Sequence, residues 1–399
     1  MRSLFGLAKI LTREALLATR SLLAGKRSQS REHIRFALQS LHEDLTAFAG
    51  QRDQGKPLPP PHLTTRILIV KLDRVGDMVN TTPVFDFLRA RYPDAAVDIV
   101  GHPAVLSLLN DDPRLSNRLP YKSTLYHPGP LRLPGLSAWK LIQDLKKTQH
   151  QLVVYLRGSF PFLLLAKHSH FVSCKFLEGE PVIRRYLKPL GALCKPGEPL
   201  PTPFLYVSNA SRTKVLHKYP KFVNGPGIVI HAVSAAEGKQ WPFKSFARLA
   251  DELSARESAE ILFLAAPSEY EKLKEIQALC ERPHNFETSL RLPEVVAAIS
   301  LADVFIGNDS GLAHIAAAVR TREIVIWGAA NLQMARPVAA ADRCTIFYHE
   351  LPCRTICPEI RCIGPDYLKC LVDIHEEDVV TKALEYLNEA RAARSATTK

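Results

Sequence analysis

The sequence predicts an α/β protein made of two Rossmann-like domains facing across a cleft, with an N-terminal helical extension. Three observations carry that expectation. Apolar runs such as Arg66–Leu72 and Gly227–His231 lack polar alternation, as expected of parallel strands covered on both faces. Helical patterns alternate with these runs, and polar turns follow them. The stretch Ala302 to Gly328 shows one unit whole: a strand at Val304–Ile306, the turn Gly307 to Gly311, a small-residue helix at Leu312–Val319 and a second strand at Ile324–Trp327.

Taken in order, the chain opens with a basic amphipathic segment. Residues 3–24 place Leu4, Leu7, Leu11, Ala15, Ala18 and Leu22 on one helical face, with Lys9, Arg13 and Arg20 off it. Such a helix either lies on an anionic bilayer or packs on the protein's own body. A second helix is expected over Arg31–Phe48, and the four prolines of Gly50–Pro61 mark a linker. The strand Arg66–Leu72 leads into the loop Asp73 to Asp77. Thr82-Pro83 then starts a helix running to about Arg91, since proline is accepted at a first helical position. Strands at Val97–Val100 and Leu152–Leu156 flank a helix opening at Val105–Leu109. Between Glu178 and Pro203 prolines and glycines accumulate, which reads as loops crossing to a second domain.

The sheet pattern restarts at Gly227–His231, followed by a polar loop over Ala232–Gln240 and a helix over Phe243–Glu252. Ile261–Ala265 reads as a strand, with helices at Ser268–Cys280 and Leu292–Ser300. A last helix at Glu376–Ala393 is placed to cross back to the first domain. The expected divisions are residues 1–62 for the extension and linker, 63–222 for the first domain and 223–399 for the second.

Composition narrows the class. In 399 residues, 46% are hydrophobic and 23% charged, which suits a globular protein. The net charge is +12, and residues 1–35, with eight basic side chains against Glu14 and Glu32, hold +6 of it. A charge so localised fits peripheral contact with an anionic membrane through residues 1–35 better than a nucleic-acid partner. No apolar run is long enough to span a bilayer, and charges interrupt any signal-peptide core, so a cytoplasmic protein is expected, either free or peripheral at the inner membrane. Four of the eight cysteines, Cys353, Cys357, Cys362 and Cys370, fall within eighteen positions. They suit a structural zinc or iron site of four thiolates, or else are buried free thiols or a redox-labile pair.

The turn before Leu312 has chemistry of its own. Asp309 and Ser310 stand at a helix N-cap, and the unpaired N–H groups there, with the helix dipole, make an anion site. His314 follows on the first turn, ready to donate to a phosphate oxygen or to cap the turn internally. Asp77 ends a loop at the carboxyl end of the first strand, where open α/β sheets bind ligands. It is a base candidate or an aspartate placed for a helix dipole. No Gly-x-Gly-x-x-Gly follows the first strand of either domain, which disfavours a dinucleotide dehydrogenase.

Val75-Gly-Asp77 with Thr81-Thr-Pro83, the loop Lys239-Gln-Trp-Pro242, and Gly307-Asn-Asp-Ser-Gly-Leu-Ala-His314 together resemble glycosyltransferase family 9, the ADP-heptose:lipopolysaccharide heptosyltransferases. The resemblance covers roughly Arg66 to Leu387 and implies a GT-B fold, with acceptor on the first domain and nucleotide sugar on the second. It implies inverting transfer of heptose from ADP-heptose to the inner core of lipopolysaccharide. It makes Asp77 the general base, Lys239 a phosphate ligand and Asp309 the acceptor of sugar-hydroxyl hydrogen bonds. Ser310 and Gly311 would meet the diphosphate through their N–H groups, and Ser234 lies near the family's hydroxyl contact to phosphate. Trp241-Pro242 reads as packing. No cofactor is expected for transfer, because lysine and helix end supply the positive charge the leaving group needs. The alternatives are a GT-B transferase using another nucleotide sugar or a protein acceptor, and an inactive nucleotide-binding scaffold. The chain departs from the family pattern in its extension and in Ala235-Ala-Glu-Gly238 before the lysine.

Overall fold

A computed structural model describes residues 42–122 apart from 43 and 52, then 136–174, 179–192, 195, 197–357, 362 and 367–397. The basic segment 3–24, most of the second expected helix and the whole charged stretch 1–35 lie outside the described residues. Residues 44–50 are helical, and His42 just before them forms a 2.7 Å hydrogen bond with the Tyr155 hydroxyl of the first sheet.

Two parallel sheets organise the rest. The first contains β1 (Arg66–Lys71), β2 (Ala96–Gly101), β3 (Asn117–Pro120), β4 (Leu152–Arg157) and β5 (His170–Ser173), in the order β3-β2-β1-β4-β5. The second contains β6 (Gly227–His231), β7 (Glu260–Leu264), β8 (Asn285–Glu287), β9 (Val304–Asn308), β10 (Arg322–Trp327) and β11 (Cys344–Tyr348), in the order β11-β10-β9-β6-β7-β8. Counted from its own first strand, each follows the Rossmann order, which reverses between the first strand and the fourth. That reversal opens a crevice at the carboxyl ends of β1 and β4 in one sheet, and of β6 and β9 in the other.

The helices that bear on the site and the cores are, in chain order, α1 (Val75–Val79), α2 (Thr82–Arg91), α3 (Leu136–Lys147), α4 (Val182–Leu187), α5 (Asn209–Lys218), α6 (Phe243–Glu257), α7 (Tyr270–Leu279), α8 (Leu292–Leu301), α9 (Gly311–Ala318), α10 (Leu332–Ala335) and α11 (Glu376–Thr397). Alternate residues of each central strand feed different cores. Ile67 and Ile69 join a cluster that continues through Phe85, Val215 and Val296 to Phe305 and Trp327, linking the two domains; Leu68 and Val70 face Ile142 and Phe162 on the other side. Burial on both faces explains why these strands read as unbroken apolar runs. Among the described residues, no helix is long and apolar enough to cross a membrane.

Three expectations need correction. The loop Asp73 to Asp77 is in part helical, so Asp77 sits in the first turn of α1. The stretch 178–203, read as loops, contains α4, with Ile183, Tyr186 and Leu187 buried. The terminal helix α11 does not serve as a bridge back: it lies on the second sheet beside α6, burying Val379, Val380, Ala383, Tyr386 and Leu387 in that domain's outer core. The edge strands β3, β5 and β8 escape the sequence pattern because they are short, and β11 because it is only half-buried along its length; an edge strand needs fewer apolar side chains than one covered on both faces.

Candidate active site

Each crevice carries groups that the sequence singled out. In the first domain, β1 delivers Lys71 and Asp73 to its carboxyl end, and α1 follows with Asp77. Lys71 is fully buried and donates from Nζ to Asp73 Oδ2 at 2.7 Å and to the Tyr186 hydroxyl of α4. The Tyr186 hydroxyl then donates to Asp77 Oδ1 at 3.3 Å, and Arg157 at the end of β4 approaches Asp73 Oδ1 at 3.5 Å. Burial, reinforced by the nearby Asp73 carboxylate, holds the Asp77 carboxyl above the usual carboxylate range, against Lys71, Arg157 and His314. Burial likewise keeps the Tyr186 phenol well above its ordinary value, so it remains a donor at neutral pH.

The second crevice is framed by the loop after β6 and the turn after β9. Asn308 is fully buried and ties them together: its Oδ1 accepts from the Trp241 N–H at 3.0 Å and its Nδ2 donates to the Ala232 carbonyl at 3.0 Å. Trp241 is buried, with its ring N–H on the Ile374 carbonyl at 3.2 Å, which makes it packing. Gly328 lets the loop pass, because a Cβ there would fall 2.0 Å from the Gly238 carbonyl oxygen. Lys239 extends from that loop to Asp309, Nζ to Oδ2 at 2.8 Å. Ser234 is engaged locally, its hydroxyl accepting the Ala236 N–H at 3.3 Å. The Ser310 hydroxyl and His314 Nδ1 are buried without a hydrogen-bond partner, at the end of α9 where N–H groups face outward. Burial lowers the His314 pKa, with Lys239 acting in the same direction, so its ring is neutral near pH 7.

The two crevices meet. A Cβ on Gly76 would lie 2.7 Å from His314 Cδ2, and one on Gly311 would lie 3.0 Å from Val75 Cβ and 3.1 Å from the Gly76 nitrogen. Thus α1 of the first domain and α9 of the second touch, and Asp77, Asp309 and Lys239 all lie close enough to the His314 ring at that contact to act on its charge. Asp77, Lys239, Asp309, Ser310, Gly311 and His314 therefore surround one place. Sequence reasoning missed Lys71, Asp73 and Tyr186 as parts of it. A lysine ending an apolar strand is a visible signal, whereas Tyr186 lay in a stretch without periodicity. A cavity of about 770 Å³ lies elsewhere, beside β5, and is lined by none of these groups.

The cysteines form a separate feature. Cys353, Cys357, Cys362 and Cys370 line one small cavity of about 20 Å³ together with Gly238 and Arg354. Cys370 is held above the ordinary thiol range, chiefly by burial and also by the other three thiols. The sulfurs share this cavity without being drawn into a tight shell. Among the described residues, the group with His, Cys and carboxylate ligand atoms all within 4.8 Å of one another is Asp251, Cys280 and His284. There Asp251 already accepts the N–H groups of Glu281 and Arg282 and is hydrogen-bonded to the His284 ring.

Two Rossmann sheets whose switch points open onto a shared cleft make the GT-B arrangement of nucleotide-sugar glycosyltransferases. Comparison with known proteins carries this further. The sequence model of glycosyltransferase family 9 (heptosyltransferase) matches residues 167–360. A lipooligosaccharide heptosyltransferase 2 from Haemophilus influenzae is 27% identical over 365 residues, covering 82% of this chain and 99% of the relative. Among solved structures, a glycosyltransferase family 9 protein from Veillonella parvula superposes with a TM-score of 0.70 at 18% identity, covering 84% of this chain and 100% of the other. The ADP-heptose lipopolysaccharide heptosyltransferase II of Escherichia coli gives a TM-score of 0.66 at 20% identity, covering 82% and 99%. The chain resembles glycosyltransferase family 9 over just under half its length, and its relatives are those of a transferase enzyme.

Proposed function

We propose that the protein transfers heptose from ADP-heptose to an inner-core acceptor of lipopolysaccharide, with inversion at the anomeric carbon and Asp77 as general base. The observation that carries this is the convergence of Asp77 from one domain with the Lys239–Asp309 pair and the α9 end from the other. The named activities of the relatives at 25% to 27% identity support the donor and the acceptor class.

The reaction follows from where the charges lie. The acceptor hydroxyl loses its proton to the Asp77 carboxylate as its oxygen forms a bond to the anomeric carbon. The bond from that carbon to the β-phosphate oxygen breaks, and the electron pair leaves with ADP. Lys239 and the N–H groups of Ser310 and Gly311 meet the charge growing on the diphosphate. His314, neutral, is set to donate one hydrogen bond to a phosphate oxygen. Asp309 accepts from sugar hydroxyls, and Ser234 lies on the rim of the same loop. A base held above the usual carboxylate range takes a proton more readily than an ordinary aspartate.

Lys239 and the helix end supply the positive charge that other transferases draw from a divalent ion, so transfer should persist after dialysis against EDTA. We also propose that the four clustered cysteines hold a structural zinc or iron, which would draw the thiolates together against the loop carrying Lys239. Elemental analysis of protein purified without chelator tests this, and less than about a tenth of an equivalent of either metal ends it. The enzyme would act on the cytoplasmic side of the inner membrane, reaching its amphiphilic acceptor with the basic segment 1–35. The deciding experiment incubates the protein with ADP-heptose, UDP-sugars and GDP-sugars and a heptose-deficient lipopolysaccharide. Product formed from ADP-heptose alone supports the reading, and turnover with another donor points to the related transferase.

A further inference from the structure

The second sheet carries a group of ligand-type side chains at the end away from the cleft. Asp251 comes from α6, Cys280 is the C-cap of α7, and His284 directly precedes the edge strand β8. Because β8 runs parallel to its neighbours, His284 stands at the amino end of the sheet, whereas the crevice with Lys239 and Asp309 opens at the carboxyl ends. A carboxylate oxygen of Asp251, the Cys280 sulfur and a ring nitrogen of His284 all lie within 4.8 Å of one another. Bonds of about 2.0 Å to nitrogen or oxygen and about 2.3 Å to sulfur set the donors of a tetrahedral zinc roughly 3.3 to 3.6 Å apart, so the three have to close by about 1 Å at most.

The surroundings already orient two of these donors. The His284 side chain is 1% exposed, and its ring lies beside Phe263 with centroids 6.1 Å apart. Its Nε2 is 2.9 Å from Asp251 Oδ1. That oxygen also accepts the Arg282 N–H at 3.0 Å, and Oδ2 accepts the Glu281 N–H at 2.8 Å, the kind of hydrogen bonding that aims a metal-ligating carboxylate. Capping the turn accounts for Asp251, but it asks for neither an imidazole nor a thiol beside the carboxylate. Only Glu281, Arg282 and Pro283 separate Cys280 from His284, so one short loop delivers both. Burial pushes the Cys280 thiol up to about 12, and the Asp251 carboxylate acts in the same direction. A cation between the two reverses the second influence and gives a thiolate its partner. Thiolate and imidazole favour a borderline ion such as zinc over magnesium or calcium, which take oxygen donors.

We propose that Asp251, Cys280 and His284 bind a zinc ion, with water in the fourth position on the side of the exposed loop 281–283. Zinc takes one lone pair each from Asp251 Oδ1, the Cys280 sulfur and His284 Nε2. The thiol proton, which bonds the Ile276 carbonyl at 3.3 Å, goes to solvent, and the imidazole keeps its one proton on Nδ1. The ion joins α6, the end of α7 and the start of β8, so it clamps the edge of the second sheet and takes no part in the reaction. The site is separate from the four clustered cysteines, and it stands whether or not the transferase reading above does.

Calorimetric titration of the full chain with zinc chloride, after treatment with EDTA and its removal by dialysis, is the test. The wild-type protein should take up about one equivalent more than Cys280→Ser, which leaves Asp251, His284 and the four clustered cysteines in place, and that equivalent should release about one proton. In His284→Gln the same equivalent should be lost or weakened by more than about a hundredfold. Zinc should raise the melting temperature of the wild type further than that of Cys280→Ser, because only the former has this ligand to stabilise it. In EDTA the two should melt together, which shows that the serine variant folds. Equal uptake by the wild type and both variants overturns the site and puts any bound zinc elsewhere. An extra equivalent that survives in Cys280→Ser at wild-type affinity removes the thiolate and the proposal with it.

Discussion

A carboxylate that takes a proton from a sugar hydroxyl has to be oriented and kept from ordinary acidity; Lys71 and Tyr186 orient Asp77, while burial and Asp73 raise its pKa. Lys71 donates to the Tyr186 oxygen, which leaves the phenolic proton free to point at Asp77 Oδ1, 3.3 Å away. Asp73, holding Lys71 and facing Asp77 with a like charge, helps to keep the latter's pKa raised. Asp77→Ala should lower turnover by about 10²-fold to 10⁴-fold, the usual worth of a general base, with ADP-heptose binding by calorimetry retained. Unchanged turnover would remove the base assignment. Tyr186→Phe tests the support. Its hydroxyl donates to the carboxylate and so favours the charged form; without it Asp77 should titrate higher still, and the acid limb of the pH–rate profile should move to higher pH. A variant slower by the same factor at every pH would make Tyr186 a packing residue only.

At the scale of the element, β10 carries a load its neighbours do not. Glu323 is fully buried, and burial pushes its pKa up to about 8 despite a hydrogen bond with the Cys344 thiol on β11. In the unfolded chain the same group titrates near 4.5. Between those values the folded state binds the proton that the unfolded state has lost, so stability falls as pH rises from about 5 to about 8 and levels off above that. Glu323→Gln removes the ionisable group and should flatten that slope, with a melting temperature above wild type at pH 8.5 and little difference at pH 5. Parallel slopes in the two proteins would show that other groups set the pH dependence. The strand was legible in the sequence because Ile324 to Trp327 is apolar throughout; Glu323 and Arg322 before it gave no such signal, and the reading began the strand two residues late. The same logic explains β3 and β8, whose few polar residues are recruited by a neighbouring strand and not by their own pattern.

Across the whole molecule, what the sequence disclosed was each half of the site, since turns such as Gly307 to Gly311 follow from local chemistry. Their meeting was not legible, because no local rule sets how closely α1 and α9 approach. Glycine makes that approach possible. Gly76 lies in a helix at an ordinary backbone angle, so alanine there brings no strain of its own, and its cost is contact alone: 2.7 Å to the His314 ring and 3.4 Å to Gly311 Cα. The His314 ring is buried, so room is made only by shifting that ring from its place in the site or by parting the two domains by some tenths of an ångström where base and donor face each other. Transfer depends steeply on such distances, up to about 10²-fold for 1 Å. Gly76→Ala should therefore lower kcat by roughly tenfold to a hundredfold, while ADP, held by the second domain alone, binds nearly as before. Gly225→Ala is the control, for its Cβ would meet only the Lys221 carbonyl at 3.7 Å, an ordinary contact. If both variants turn over like the wild type, the close seating of α1 on α9 is dispensable for catalysis, and the domains work at a wider separation than the one seen here.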